Sequence, residues 1–329
     1  MTPKSEAGFS LLEVVIASAI FAAAVVPVLY VANAGQRMAR SQPDASDLQQ
    51  RLRVVADKLQ RDLTMAGAGP LHGALAGQLS EWVPAVVPAR VGLRSPDAAL
   101  SAYDDRLTII YASEDAASVP LITSMSTPTA DLEIDAARPG CPTSGFCGFS
   151  DGTRALIVDT SGVGAGYELF TVTSTSTALA HGAPNPAFTR VYAAGATVVP
   201  IVQHVYHFDA PGRRLMLYDG HQSDVPLIDN VVSARFEYFA SAPGGGVIPR
   251  VLDQLGDGPA IGVSPNEFDR DLLRIRIVRV TLRLEAAADE VRGVGVQFRR
   301  AGRSTSAFSY VPDHEVTFDV TLRNTRGAP

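Results

Sequence analysis

The chain has 329 residues, enough for a substantial core and one or two domains. Hydrophobic residues make up 46% and charged residues 19%, a globular composition enriched by an apolar N-terminus. The net charge of −6 leaves no overall basic surface, so nucleic acid is not an expected partner.

Residues 9–34 read FSLLEVVIASAIFAAAVVPVLYVANA, and Glu13 is the one side chain there that is ordinarily charged at neutral pH. As a helix, such a run is about 39 Å long. That is enough to cross a ~30 Å hydrocarbon core with some tilt. A plain transmembrane anchor leaves Glu13 unexplained, because a carboxylate at the centre of a span costs about 2.5–3.5 kcal/mol on insertion scales. A secretory signal peptide would use Ala32-Asn33-Ala34 as its cleavage site, but the apolar run is long for that purpose. Its leader is also weakly charged, since Glu6 offsets Lys4.

The third reading uses every feature. Gly8-Phe9-Ser10-Leu11-Leu12-Glu13, after the short polar leader MTPKSEAG and before about twenty apolar residues, resembles the processing site of type IV prepilins. The resemblance implies that a prepilin peptidase cuts between Gly8 and Phe9 on the cytoplasmic side. It also implies that Phe9 becomes N-methylated and that Glu13 serves assembly. Cleavage would expose an amine at Phe9, and Glu13 of an incoming subunit could pair with that amine on a neighbour. Such a pair removes an otherwise uncompensated buried charge. In a low-dielectric fibre core it also favours one register.

Past Gln42-Pro43, apolar residues fall at Leu48, Leu52, Val55, Ala56, Leu59, Leu63 and Ala66, one face of an amphipathic helix. Asp44 or Ser46 could cap its start and Gly67 could end it. Arg51, Arg53, Asp57, Lys58, Arg61 and Asp62 read as the opposite, solvated face. Pro27 and Pro43 each interrupt backbone hydrogen bonding and are candidate bends.

Beyond Gly67 the sequence reads as short strands among Gly, Pro, Ser and Asp. The candidates are 106–112, 154–159, 167–175, 201–209, 214–219, 231–239, 273–285, 294–299 and 315–323. Asp209-Ala210-Pro211-Gly212 predicts a hairpin turn. In 231–239, Val232, Ala234, Phe236 and Tyr238 share one face. A phase change at Ile277–Val278 predicts a β-bulge. Stretches near 81–102, 113–130 and 240–268 read as surface loops.

Cys141 and Cys147 lie in the loop GCPTSGFCG. A small disulfide loop fits this spacing better than two free thiols, given an exported head, and no histidine is near enough to suggest a metal site. Gly148-Phe149-Ser150-Asp151-Gly152 matches G-x-S-x-G, but a strand-like run follows where a nucleophile elbow needs a helix, so a turn is the better reading. His204 and His207 are three apart in a strand and should face opposite sides, a poor arrangement for joint metal ligation. Asp253, Asp257, Glu267, Asp269 and Asp271 could offer oxygen ligands to Ca²⁺, yet they do not follow EF-hand spacing and read more simply as solvated loop carboxylates. No cofactor and no enzymatic activity are expected.

Over the head, DLTMAG, DRLTIIYA, GFSDGTRALIVDTSG, GYELFTVTS and VTFDVTLRN resemble PilW-type minor pilins and, more distantly, J-type minor pseudopilins of type II secretion. The implied fold is α+β: a long N-terminal helix, half membrane-spanning and half amphipathic, packed on a mainly antiparallel β head. The implied division is 1–8 leader, 9–34 transmembrane half, 35–67 amphipathic half and 68–329 head, periplasmic and then extracellular. The implied partners are other minor pilins, the major pilin, the prepilin peptidase, the inner-membrane assembly platform and membrane lipid. A fibre-displayed adhesin or ligand-binding head is the reading from another class. A concave aromatic patch would favour it, although Trp82 is the one tryptophan.

Overall fold

The computed structural model describes residues 10–73, 77–113, 115–143, 146–159, 166–241, 247–250, 260–261, 267–303 and 310–325. It is an α+β protein: one long helix, α1 (Leu11–Met65), followed by β structure. The first strands are β1 (His72–Gly73), β2 (Val86–Val87), β3 (Arg106–Tyr111), β4 (Ala117–Pro120), β5 (Arg154–Val158) and β6 (Tyr167–Thr171). Next come β7 (Ser174–Thr175), β8 (Leu179–Ala180), β9 (Thr197–Pro200), β10 (Val202–Asp209), β11 (Arg214–Tyr218) and β12 (Asp224–Asp229). The last are β13 (Val231–Ser241), β14 (Val247–Arg250), β15 (Ala260–Ile261), β16 (Phe268–Asp269), β17 (Ile275–Leu284) and β18 (His314–Thr321).

Helix α1 runs through both prolines. Pro27 and Pro43 have no N–H to give to Ala23 and Ala39, so each costs a backbone bond without ending the helix. There is accordingly no new start at Asp44 or Ser46, and the cap lies at Ser10. The helix stops where the sequence places its stop. Gly67 adopts φ +74°, a left-handed conformation that glycine reaches without a Cβ penalty. Its N–H donates to Ile110 O at 2.9 Å.

The chain divides into two compact units, Met1–Gln50 with Glu285–His314, and Arg51–Leu284 with Glu315–Pro329. The second unit contains three principal sheets, ordered β1-β4-β9-β5-β6, β12-β11-β10-β3-β2 and β14-β13-β17-β18. Strand β1 pairs with β4 in parallel. The pairings β3–β10, β10–β11, β11–β12, β5–β6 and β13–β17 are antiparallel. Leu52, Val55, Leu59, Leu63 and Ala66 of α1 are buried, as their spacing requires.

Strands β3 and β10 are direct antiparallel neighbours, with Val202 opposite Tyr111. Residues 112–201 between them form a lobe that supplies four strands of one sheet, β4-β9-β5-β6, to which β1 adds an edge, and it has its own apolar cluster, including Val119, Leu132, Phe149, Ile157, Phe170 and Val198. The sequence around 113–130 therefore does not form a surface loop throughout, because β4 runs through it as a buried strand. The same holds near 81–102, where Val83, Ala85, Val86, Val87 and Ala89 are buried and β2 pairs with β3. Both segments carry enough apolar residues to cover a sheet. Most of the third stretch, 240–268, lies outside the described residues.

The hairpin β10–β11 closes with Asp209 opposite Arg214. In β13, Ala234, Phe236 and Tyr238 are buried together. The bulge in β17 falls one residue earlier than the pattern suggests: Ile275 and Ile277 oppose Ala240 and Phe239, leaving Arg276 as the extra residue. The stretch 167–175 splits into β6 and β7. Val294–Arg299 is not a strand. Its alternation sets Val294, Val296 and Phe298 against Gly295, Gln297 and Arg299, and Gly295 at φ +142° turns the chain instead.

Candidate functional site

At the start of α1, Ser10 Oγ accepts from Leu12 N–H at 3.3 Å while Glu13 Oε2 accepts from Ser10 N–H at 3.0 Å. This is a reciprocal cap of the S-x-x-E kind, satisfying donors that the first turn cannot pair internally. The spacing was readable in the sequence, but Ser10 there counted only as part of the processing motif. Gly8 and Phe9 lie outside the described residues.

From Leu11 to Asn33 the helix has mean hydropathy 2.6 and is long and apolar enough to cross a membrane. Its side chains are bare: Leu11 is 83% and Phe21 70% exposed. Monomeric soluble proteins do not leave a continuous apolar surface of this length uncovered. Glu13, Val14, Ala17, Ser18 and Phe21 line one shallow face of this rod. Ser18 is satisfied internally, donating to Val14 O at 2.7 Å.

A second polar constellation holds the far half of α1. Asp62 is buried, although its charge places it with the solvated residues in the sequence. Lys58 Nζ donates to both its oxygens at 2.9 and 2.8 Å, His204 Nδ1 lies 2.6 Å from Oδ2, and the Tyr206 hydroxyl donates to Oδ2 at 2.5 Å. Burial alone would raise the Asp62 carboxyl. The hydrogen bonds from His204, Lys58 and Tyr206 outweigh it and hold the group at about 2. Burial, with the Asp62 charge adding to it, pushes the Tyr111 hydroxyl up to about 12 and raises that of Tyr206 as well. The available signal was spacing: Val55, Leu59, Asp62 and Ala66 fall on one helical stripe.

His204 and His207 do face different partners. His207 Nε2 lies 3.1 Å from Asp224 Oδ1 and 2.7 Å from Arg90 Nη1. Cys141 and Cys147 are joined in a disulfide, with Cα atoms 4.6 Å apart. Cys147 is buried in the core of the inserted lobe and Cys141 packs at its edge. Ser150 of G-x-S-x-G sits in a turn and bonds to Thr153 Oγ1 at 3.1 Å, and strand β5 follows. An aromatic group of Phe170, His181, Phe188 and Tyr192 exists, but it is stacked inside that lobe.

Of the carboxylates considered for Ca²⁺, Asp253 and Asp257 lie outside the described residues. Glu267 and Asp269 line a cavity of about 70 Å³ with Phe268, Leu272, Val87 and Pro88. Asp269 Oδ1 accepts from Asp271 N–H at 2.6 Å, and Asp271 lies 3.5 Å from Arg274. Among the described residues, no three His, Cys, Asp or Glu side chains are grouped to hold a metal ion.

Residues 3–29 match the family model described as the prokaryotic N-terminal methylation motif. This motif indicates a type IV pilin or pseudopilin, a structural class processed by the prepilin peptidase and assembled with other pilus components. An apolar helix bearing it is consistent with anchoring in the inner membrane. No curated protein and no solved structure matches the chain.

Proposed function

We propose that this chain is a minor pilin of the PilW type, a structural subunit that takes part in assembling, priming or tipping a type IV pilus. The observation that carries the reading is Glu13, a single carboxylate in the first turn of a bare apolar helix inside the matched motif. Cutting between Gly8 and Phe9 would place a methylated amine four residues before it. In a bundle of such helices, that amine and Glu13 of a neighbour neutralise each other where water is excluded. The head would remain periplasmic until the subunit is drawn from the inner membrane into the fibre, with other minor pilins, the major pilin and the assembly platform as its partners.

Mass spectrometry of the mature N-terminus, in cells with and without the prepilin peptidase, tests this. Methylated Phe9 that depends on the peptidase is the expected result. A chain beginning at Gly35 would overturn it, because the rod would then have been discarded. Co-purification with pilus subunits, as opposed to secretion-system pseudopilins, distinguishes the minor pilin from a J-type pseudopilin. One observation supports a further displayed function. The lobe 112–201 has its own core and enters the chain between two paired strands, the arrangement of an inserted module that need not help hold the helix.

A further inference from the structure

Strand β6 ends the sheet β1-β4-β9-β5-β6, and the segment 181–192 straps its outer edge. The strap contains no strand of its own, so side chains do much of the holding. Thr171 N–H donates to Asn185 Oδ1 at 2.9 Å, and Asn185 Nδ2 donates to Thr171 O at 2.7 Å. Glu168, also on β6, is buried. It accepts from Thr189 N–H at 3.1 Å, from the Thr189 hydroxyl at 2.9 Å and from the Tyr192 hydroxyl at 3.1 Å. Under the strap, His181 stacks on Phe188 with ring centres 4.0 Å apart and meets Phe170 edge-on at 5.9 Å, and Phe188 meets Tyr192 edge-on at 5.5 Å.

His181 is the odd member of this group. It is 2% exposed, and its Nε2 lies 2.9 Å from Ala130 O. A carbonyl oxygen only accepts, so Nε2 carries the proton and Nδ1 is a bare acceptor. Nδ1 is buried and has no hydrogen-bond partner among the described residues. A phenyl ring would stack here without leaving such an orphan, so packing alone does not call for an imidazole. Protonating Nδ1 would place a charge and a second N–H where nothing accepts it. Three charged groups face the cluster. Asp131 is exposed, Glu168 is already occupied by Thr189 and Tyr192, and the Arg190 guanidinium lies 4.9 Å from the Tyr192 ring centre. Burial holds the His181 imidazole below its ordinary 6.5, and the Ala130 carbonyl, Asp131 and Glu168 oppose that effect without cancelling it.

We propose that His181 is an acid-sensitive latch for the strap 181–192. In neutral surroundings the uncharged ring completes the aromatic group and keeps the strap on β6. On acidification the released strap takes up a proton more readily than the closed one, so acid favours opening. The latch is fully effective above the ordinary histidine value of 6.5 and weakens as pH falls below it. Opening bares Phe188, Tyr192 and the outer edge of β6, all of which the closed strap keeps from water. The latch lies wholly within the inserted lobe and does not depend on the reading of the N-terminal helix.

The test is hydrogen exchange of the detergent-solubilised full chain at pH 7.5 and pH 5.5, each corrected for the chemical exchange rate. The opening constants of the Thr171, Phe188 and Thr189 amides should rise several-fold at the lower pH, with about tenfold the ceiling for one proton. Strands β13 and β17 should show no such change. His181→Gln can still donate to Ala130 O but does not titrate, so the pH dependence should vanish. Dependence that survives in this variant, or is missing from the wild type, overturns the latch. If the glutamine variant does not fold, His181→Phe keeps the ring, lacks the proton site and makes the same prediction. A nuclear magnetic resonance titration of labelled histidine in the wild type needs no substitution, with His181 assigned by its contacts to the Phe170 and Phe188 rings. A ring that stays neutral well below pH 6.5 while the lobe is folded supports the latch, and an ordinary midpoint near 6.5 overturns it.

Discussion

The Glu13 carboxylate accepts the Ser10 N–H at 3.0 Å, closing the first turn of α1 onto itself. The residue proposed above for assembly is therefore already satisfied within its own chain. A lone carboxylate in an apolar helix is costly, and the cap supplies a donor while no partner subunit is present. Exchange of this local bond for an amine on a neighbour would replace a neutral donor with a charged one, and hydrogen bonds to charged groups are the stronger.

Glu13→Gln separates these two roles. Glutamine can still accept from Ser10 N–H, so the helix start should persist. The negative charge is lost, and incorporation into fibres should fall to near background. Fibre fractionation with quantitative blotting measures this, and circular dichroism checks the helix. Normal incorporation of the glutamine variant would refute the pairing. Ser10→Ala should instead fray the first turn, at a cost of about 0.5–2 kcal/mol of helix stability.

Asp62 predicts a pH dependence with a defined sign. Its carboxyl is held at about 2, below the ordinary 3.8, so its contribution to folding is complete above the ordinary value. That contribution drains away as pH falls from about 4 to about 2, because the unfolded chain takes up the proton first. Asp62→Asn should destabilise the head by about 1.5–3 kcal/mol at neutral pH, the scale of a charged hydrogen-bond set. The difference in Tm between wild type and variant should shrink across the acid window. A constant difference from pH 7 to pH 2 would show that the carboxylate charge is not what matters.

The sequence made the rod, the amphipathic face, the β10–β11 hairpin and the disulfide legible, because each rests on local spacing. Leu52, Val55, Leu59 and Leu63 repeat at helical intervals, and no other element can hide them. What escaped was set by pairing distant in sequence. Asp62 looked solvent-facing until His204 and Tyr206 were brought against it. The strand-like alternation at Val294 and Val296 has the right period, but Gly295 and the bonds to Gly302 and Val311 curl it into a turn. Likewise, nothing local announces that β3 and β10 are neighbours with a whole lobe between them.

That lobe leans on its disulfide. Closing a loop this short removes about 2 kcal/mol worth of chain entropy from the unfolded state. Cys147 is also buried beside the apolar cluster, so its replacement disturbs packing. Cys141→Ser with Cys147→Ser should lower stability by about 2 kcal/mol or somewhat more. Hydrogen exchange should show the added opening within residues 112–201 and little change in β13 and β17. Uniform loosening of the whole chain would mean that the lobe is not a separate cooperative unit.

Leu59 and Val54 sit on the same helix with opposite fates, Leu59 at 0% exposure and Val54 at 59%. Leu59→Ala removes buried apolar volume and should cost about 2–5 kcal/mol of head stability, read by denaturant unfolding of the detergent-solubilised chain. Val54→Ala should leave that stability within about 0.5 kcal/mol, as expected for an exposed side chain. If the bare side of α1 is a packing surface for neighbouring stalks, the same Val54 change should still reduce recovery of the subunit in sheared fibres. Full recovery of Val54→Ala in fibres would mean that the exposed flank at this level of the helix faces water in the assembly, and that the packing surface is confined to the apolar rod before Asn33.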